Sequence, residues 1–185
     1  MVEIFNPATT DTEGLTEFAP DSTAARKLVF YHASEGKPLA TPWQVALARS
    51  KLLTDIHLPE GYILDCACGS GIQLGAHMAI LQRPGIGVEL DPLRARASAV
   101  NLQSIAIHRN EEGAERMLQT RIFAGDGRDG AVTCAALADH FSLDAFPKIA
   151  MLHLDPARPR NSRTHGLDEM APRLDEVFKG WAPYL

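Results

Sequence analysis

Long apolar runs, a basic leader, cysteines, aromatic residues and positive charge are all scarce in this chain of 185 residues. No run approaches the roughly 18 apolar residues that a membrane-spanning helix needs. The opening Met1-Val2-Glu3-Ile4-Phe5 has neither the positive start nor the apolar stretch of a secretory leader, so the expectation is a protein that stays in the cytoplasm. Three cysteines, Cys66, Cys68 and Cys134, are an odd number, and no His/Cys set at zinc-finger spacing accompanies them. Neither a disulfide framework nor a metal site is expected, and the cysteines read as small buried residues. With 18 Lys+Arg against 23 Asp+Glu the net charge is −5. Glu3, Asp11, Glu13 and Glu17 supply most of it, within a first stretch that has no Lys or Arg. The remainder is nearly neutral, which excludes a strongly basic nucleic-acid-binding body and leaves room for a local basic loop.

What is present is a chain 45% hydrophobic, long enough to bury one core without a covalent or metal staple. Residues 1–20 have little periodicity and read as an irregular arm. A first helix is expected over about 22–32, and 34–41 read as a linker. Thr41, Pro42 and Gln44 then suggest an N-cap, a proline at the first helical position and a capping-box partner. Val45, Leu47, Ala48, Leu52 and Ile56 form the expected apolar face of that second helix, which runs to about residue 57, and Trp43 is expected to pack on the core. Residues 1–58 thus read as an arm with a helical extension, and 59–185 as the main domain.

From Gly61 short apolar runs alternate with helical stretches. Strands are expected at 62–64, 86–88, 121–124 and 149–154. Helices are expected at 71–82, 92–105, 129–140 and about 167–179, with Asp91 and Pro92 opening the second of these and Asp129 capping the third. Alternation of this kind gives an α/β architecture, a Rossmann-like three-layer sandwich around a mostly parallel sheet. In such sheets ligands sit at the carboxyl ends of the strands.

The first strand end is Asp65-Cys66-Ala67-Cys68-Gly69-Ser70-Gly71. Its glycines allow close backbone approach, and the helix that follows offers free N–H groups to a carboxylate or other anion. Asp65 adds negative charge, which suits a ligand also bearing an ammonium group. The second is Glu89-Leu90-Asp91-Pro92, with Glu89 placed where such folds accept a ribose diol. The third is Gly125-Asp126-Gly127, with Asp126 able to accept from an exocyclic amine, and the fourth is Asp155-Pro156-Ala157-Arg158. His153 reads as a packed core histidine, and His165 has no identifiable partner. Arg158, Arg160 and Arg163 follow in a loop without acids, suited either to nucleic-acid phosphates or to solvent.

Taken in order, these segments resemble the successive motifs of class I S-adenosylmethionine-dependent methyltransferases, over residues 61 to about 160. The Cys-Gly-Ser-Gly loop is similar to that of enzymes methylating RNA or DNA. The Thr41-Pro42 segment and the Leu-Asp-Pro-Ala-Arg strand end resemble RNA methyltransferases of the THUMP-like and RNA-cap guanine-N2 type. The resemblance implies S-adenosyl-L-methionine as cofactor, held at Asp65, Ala67, Cys68, Gly69 and Gly71, with Glu89 and Leu90 at the ribose and Asp126 and Gly127 at the adenine. It implies a methyl acceptor, RNA by this likeness, facing Asp155 and Pro156 and contacted by Arg158, Arg160 and Arg163. Amino-group methyltransferases show Asp/Asn-Pro-Pro-aromatic after the fourth strand, where this chain has Ala157 and Arg158. The family's sheet has seven strands, so a sheet lacking the C-terminal strands, or an unusually covered edge, is expected. Two other readings remain: a nicotinamide-dependent oxidoreductase using the Gly69-x-Gly71-x-x-x-Gly75 loop, and a non-catalytic cofactor-binding module.

Overall fold

The computed structural model describes residues 2–18, 28–33, 40–144, 148–155 and 170–185. The four strands that the apolar runs mark are β4 (Tyr62–Asp65), β5 (Gly85–Glu89), β6 (Arg121–Ala124) and β7 (Ile149–His153), all mutually parallel. Their residues face helices on both sides, which explains why they are continuously apolar instead of alternating. Ile63 of β4 and Ile122 of β6 meet Leu74 and Met78 of α2 (Ile72–Leu81) and Ala95, Ala99 and Leu102 of α3 (Pro92–Arg109). Leu64, Ile86, Val88 and Phe123 point the other way, onto Cys134 and Leu137 of α5 (Gly130–His140) and Val177 and Trp181 of α6 (Leu174–Trp181). The result is the Rossmann-like α/β sandwich, with strand order β1-β6-β5-β4-β7, where β1 is Glu3–Phe5.

The start of α3 follows the sequence signal, since the Asp91 carboxylate accepts from the Arg94 N–H at 3.0 Å and Pro92 takes the first position. Its end lies further on than expected, at Arg109, where Asn110 adopts a left-handed conformation (φ 54°). A short helix, α4 (Glu115–Gln119), was not anticipated.

The N-terminal region departs most from the sequence reading. Glu3–Phe5 is not part of an irregular arm: it forms β1, antiparallel to β6 with Phe5 opposite Ile122. The outer edge of β6 offers a row of backbone groups that needs a partner, and Phe5 gains a place in the core. Leu15–Phe18 (β2) and Phe30–Ala33 (β3) make a two-stranded antiparallel pair, so the helix expected to end at His32 is replaced there by a strand. The side chain of Asn101 on α3 accepts from the Tyr31 N–H (2.7 Å) and donates to the Tyr31 carbonyl (3.0 Å), taking both groups that a helix would use internally. Positions 22–27 of that expected helix and 34–39 of the linker lie outside the described residues.

Helix α1 (Trp43–Lys51) starts at Pro42, whose carbonyl accepts from Val45 and Ala46; no side chain caps it, so the Thr41 capping box does not form. It also ends earlier than expected and turns a different face inward. Trp43, Ala46 and Ser50 are buried, whereas Leu52 is 79% exposed and Val45 and Ile56 lie largely in solvent. The inward face combines apolar packing of Trp43 and Ala46 on Ile72 and Ala76 of α2 with Ser50, whose hydroxyl donates to the Ala46 carbonyl within α1 (2.8 Å) and sits 3.0 Å from His77 Nδ1 on α2. Helix α6 begins at Leu174, later than expected, with Arg173 still extended (ψ 142°) as its N-cap. The earlier part of that expected helix, 167–169, lies outside the described residues.

Candidate functional site

The chain steps outward from β4 through β5 to β6 and then returns to the other side of β4 to lay down β7. The carboxyl ends of β4 and β7, on either side of that reversal, are the position where open α/β sheets take ligands. Four of the residues singled out in the sequence, Asp65, Glu89, Asp126 and Asp155, stand at or just beyond the four strand ends around it.

Between β4 and α2 the chain turns through Gly69 (φ 52°) and Gly71 (φ 72°), conformations that side chains rarely adopt. A Cβ at Gly71 would also overlap the Ser98 hydroxyl on α3, so the loop lies tight against that helix. Gly71 is the N-cap of α2, and no side chain caps the N–H groups beyond it. Asn101, fully buried, donates to the Ser70 carbonyl at 2.9 Å and thereby ties this loop to β3.

Asp65 closes β4 with only 2% of its surface exposed. Its carboxylate accepts from the Ala67 N–H at 3.2 Å, and among the described residues no Lys or Arg pairs with it. Burial raises its pKa to about 7; the Ala67 N–H opposes this, and the charges of Asp155 and Glu89 add to it. Three carboxylates therefore share one electrostatic neighbourhood. Cys66 and Cys68, buried beside it, have thiols pushed well up by desolvation and then by Asp65, which keeps them protonated.

Glu89 reaches back to this loop, accepting from the Gly69 N–H through Oε2 (3.1 Å) and from the Asp91 N–H through Oε1 (3.1 Å). A carboxylate has about four lone-pair directions, so about two remain for a ligand. Leu90 is exposed at the rim. The β6–α5 loop joins the same group, because Gly127 lies so close to the Cys66 carbonyl that any Cβ would overlap it. Asp126 is engaged by Arg128, whose guanidinium contacts both its oxygens, and this lowers its pKa. Asp129 caps α5 by accepting from the Val132 N–H at 3.2 Å.

On the far side, Asp155 faces Arg49 of α1 at 3.3 Å, a half-exposed pair. Next to it lies a polar cluster. The Ser50 proton is committed to Ala46, so His77 Nδ1–H donates to Ser50 and His77 Nε2 accepts from the Gln73 amide at 3.2 Å. Burial holds the His77 pKa down at about 4, with His153 and Arg49 adding to the effect. His153 packs edge-on against His77 at 4.9 Å between centroids, and its buried Nε2 has no partner among the described residues. Trp43 is buried in the cluster beneath α1 and α2. Pro156, Ala157, Arg158, Arg160, Arg163 and His165 lie outside the described residues.

Arg49, Asn101, Arg128 and Glu176 contribute to this region without having been expected. Only Asn101 left a trace, as a polar residue inside the apolar run of α3. Among the described residues no helix is long and apolar enough to cross a membrane.

No protein-family model and no curated protein matches the chain. Among solved structures it is similar to the rRNA methyltransferase aviRa from Streptomyces viridochromogenes, at 20% identity and a TM-score of 0.29, over 80% of this chain and 58% of that one. The chain thus spans less than two thirds of that protein's length.

Proposed function

We propose that the chain is a methyltransferase using S-adenosyl-L-methionine, with RNA as its methyl acceptor and the cytoplasm as its place of action. The observation that carries this reading is Asp65, a buried carboxylate without a cation, set beside two more carboxylates and beneath an uncapped helix N-terminus. A zwitterionic amino-acid moiety fits that arrangement. Its ammonium complements Asp65, and its carboxylate takes the N–H groups at the start of α2. A diphosphate, as in a nicotinamide cofactor, would meet repulsion from the same carboxylates. In this assignment Ala67, Cys68, Gly69 and Gly71 line the methionine end, Glu89 and Leu90 the ribose, and Asp126 and Gly127 the base.

The cofactor when bound supplies a methyl group on a sulfonium, open to attack by a nucleophile of the acceptor. The chain's own work is to hold the two partners in line, which in well-oriented systems supplies about 7–11 kcal/mol. Asp155 and Pro156 would present the acceptor, with Asp155 accepting a hydrogen bond from it so that a lone pair faces the methyl; Arg49 positions Asp155 from α1. Arg158, Arg160 and Arg163 follow Asp155 in sequence and supply positive charge for RNA phosphates.

Calorimetry with S-adenosylhomocysteine and NADH tests the assignment. Binding of the first and not the second is expected, with Asp65→Ala and Glu89→Ala each costing about 1.5–3 kcal/mol, the scale of hydrogen bonds to charged groups. Unchanged affinity in both variants removes the assignment. Asp155→Ala is expected to retain binding and lose methyl transfer to RNA.

A further inference from the structure

Asp126 is assigned above to an exocyclic amine, yet Arg128 already fills it. Oδ1 accepts from the Arg128 N–H and Nε–H (both 2.9 Å), and Oδ2 from Nε–H (3.1 Å) and Nη2–H (2.6 Å). These four contacts use about all the lone-pair directions a carboxylate has. A guanidinium has donors and no acceptor, as does an amine turned toward a carboxylate, so the two compete for the same oxygens.

Arg128 has a second carboxylate within reach. Its Nη1 lies 3.2 Å from Glu176 Oε2 on α6, so the side chain bridges the two acids in an exposed position. The backbone beneath it is fixed. Gly127 abuts the Cys66 carbonyl, Gly180 of α6 abuts the Arg128 carbonyl, and the Trp181 indole N–H donates to the Gly127 carbonyl at 2.8 Å. The motion left to this corner of the site is rotation of the Arg128 side chain between its two partners.

We propose that Arg128 determines nucleobase specificity: resting on Asp126 it offers donors to a 6-oxo purine, and moved to Glu176 it frees Asp126 to accept from a 6-amino purine. Glu176 is then the residue that makes adenine admissible. This rests on the cofactor reading given above and deepens it.

The test is calorimetry on the full chain with S-adenosylhomocysteine and its 6-oxo (hypoxanthine) counterpart, in the native protein, Arg128→Ala and Glu176→Gln. The quantity read is the ratio of the two dissociation constants within each protein, so that a partly unfolded population cancels. Preference for the 6-amino ligand is expected to rise about two- to fivefold in Arg128→Ala and to fall by a similar factor in Glu176→Gln, the range that an exposed ion pair corresponds to. Parallel weakening of both ligands, with the ratio unchanged in either variant, shows that Arg128 only braces the loop and overturns the proposal. Should the native protein bind neither ligand, the cofactor reading falls first and takes this inference with it.

Discussion

Binding of a ligand ammonium at Asp65 requires the carboxylate form, while burial in the ligand-free protein shifts the group toward the protonated one. With a pKa of about 7, Asp65 is about 90% protonated at pH 6 and about 10% at pH 8. Only the ionised fraction is competent, so S-adenosylhomocysteine should bind about tenfold more weakly at pH 6 than at pH 8, a difference of about 1.4 kcal/mol. The same linkage requires release of about 0.9 proton per ligand at pH 6 and about 0.1 at pH 8. Isothermal titration in two buffers of different ionisation enthalpy reads both quantities. Asp65→Asn should bind weakly at every pH and lose the dependence, which separates this carboxyl from the histidines nearby. An affinity constant within a factor of two from pH 6 to 8 in the native protein would refute the reasoning. Without ligand, the sign for stability follows from the same raised pKa. Between about pH 4 and 7 the folded chain holds a proton that the unfolded chain has released, so this contribution is fully present at low pH and disappears as pH rises through about 7.

Two further outcomes are expected. His77 has the opposite sign, with a folded pKa of about 4 against 6.5 for the free side chain, so its own share of the stability falls by about 2 kcal/mol from pH 8 to pH 5, opposing the gain from Asp65 over the same range. His77→Gln should raise the stability at pH 5 relative to pH 8 by that amount compared with the native protein in urea melts, and an unshifted difference would count against a neutral, buried His77. Asn101→Ala strands the Tyr31 N–H and carbonyl and the Ser70 carbonyl. It should cost about 2–4 kcal/mol, with hydrogen exchange accelerated at Tyr31, whereas unchanged exchange would mean that the pair β2–β3 is held by packing alone.

Strands β4, β5 and β6 were legible because they are largely buried and so read as apolar runs, β7 by its apolar run although only Ile149 of it is buried, and the strand ends because a carboxylate closes or follows each. Asp91-Pro92 marked α3 for a local reason, a cap and a fixed φ. What the sequence hid was decided at a distance. The three residues of β1 carry too little pattern to show, and become a strand only because β6 lies open beside them. The inward face of α1 joins Trp43 and Ala46 to Ser50, which meets Gln73 and His77 of α2, so the apolar residues alone were an incomplete guide to it. Arg49 meets Asp155 across 106 positions of sequence, and Glu176 reaches Arg128 across 48, separations at which no local spacing speaks.

The pairing of β1 with β6 makes assembly of the sheet wait on synthesis. Phe5 leaves the ribosome first, and Ile122, its neighbour, follows more than a hundred residues later. Until then β1 waits without a partner, and once β6 emerges β1 covers an outer flank that would otherwise lie open to another chain's backbone. Deleting residues 2–5, or fusing a bulky partner just before Glu3, would leave that flank uncovered, and self-association should accompany it.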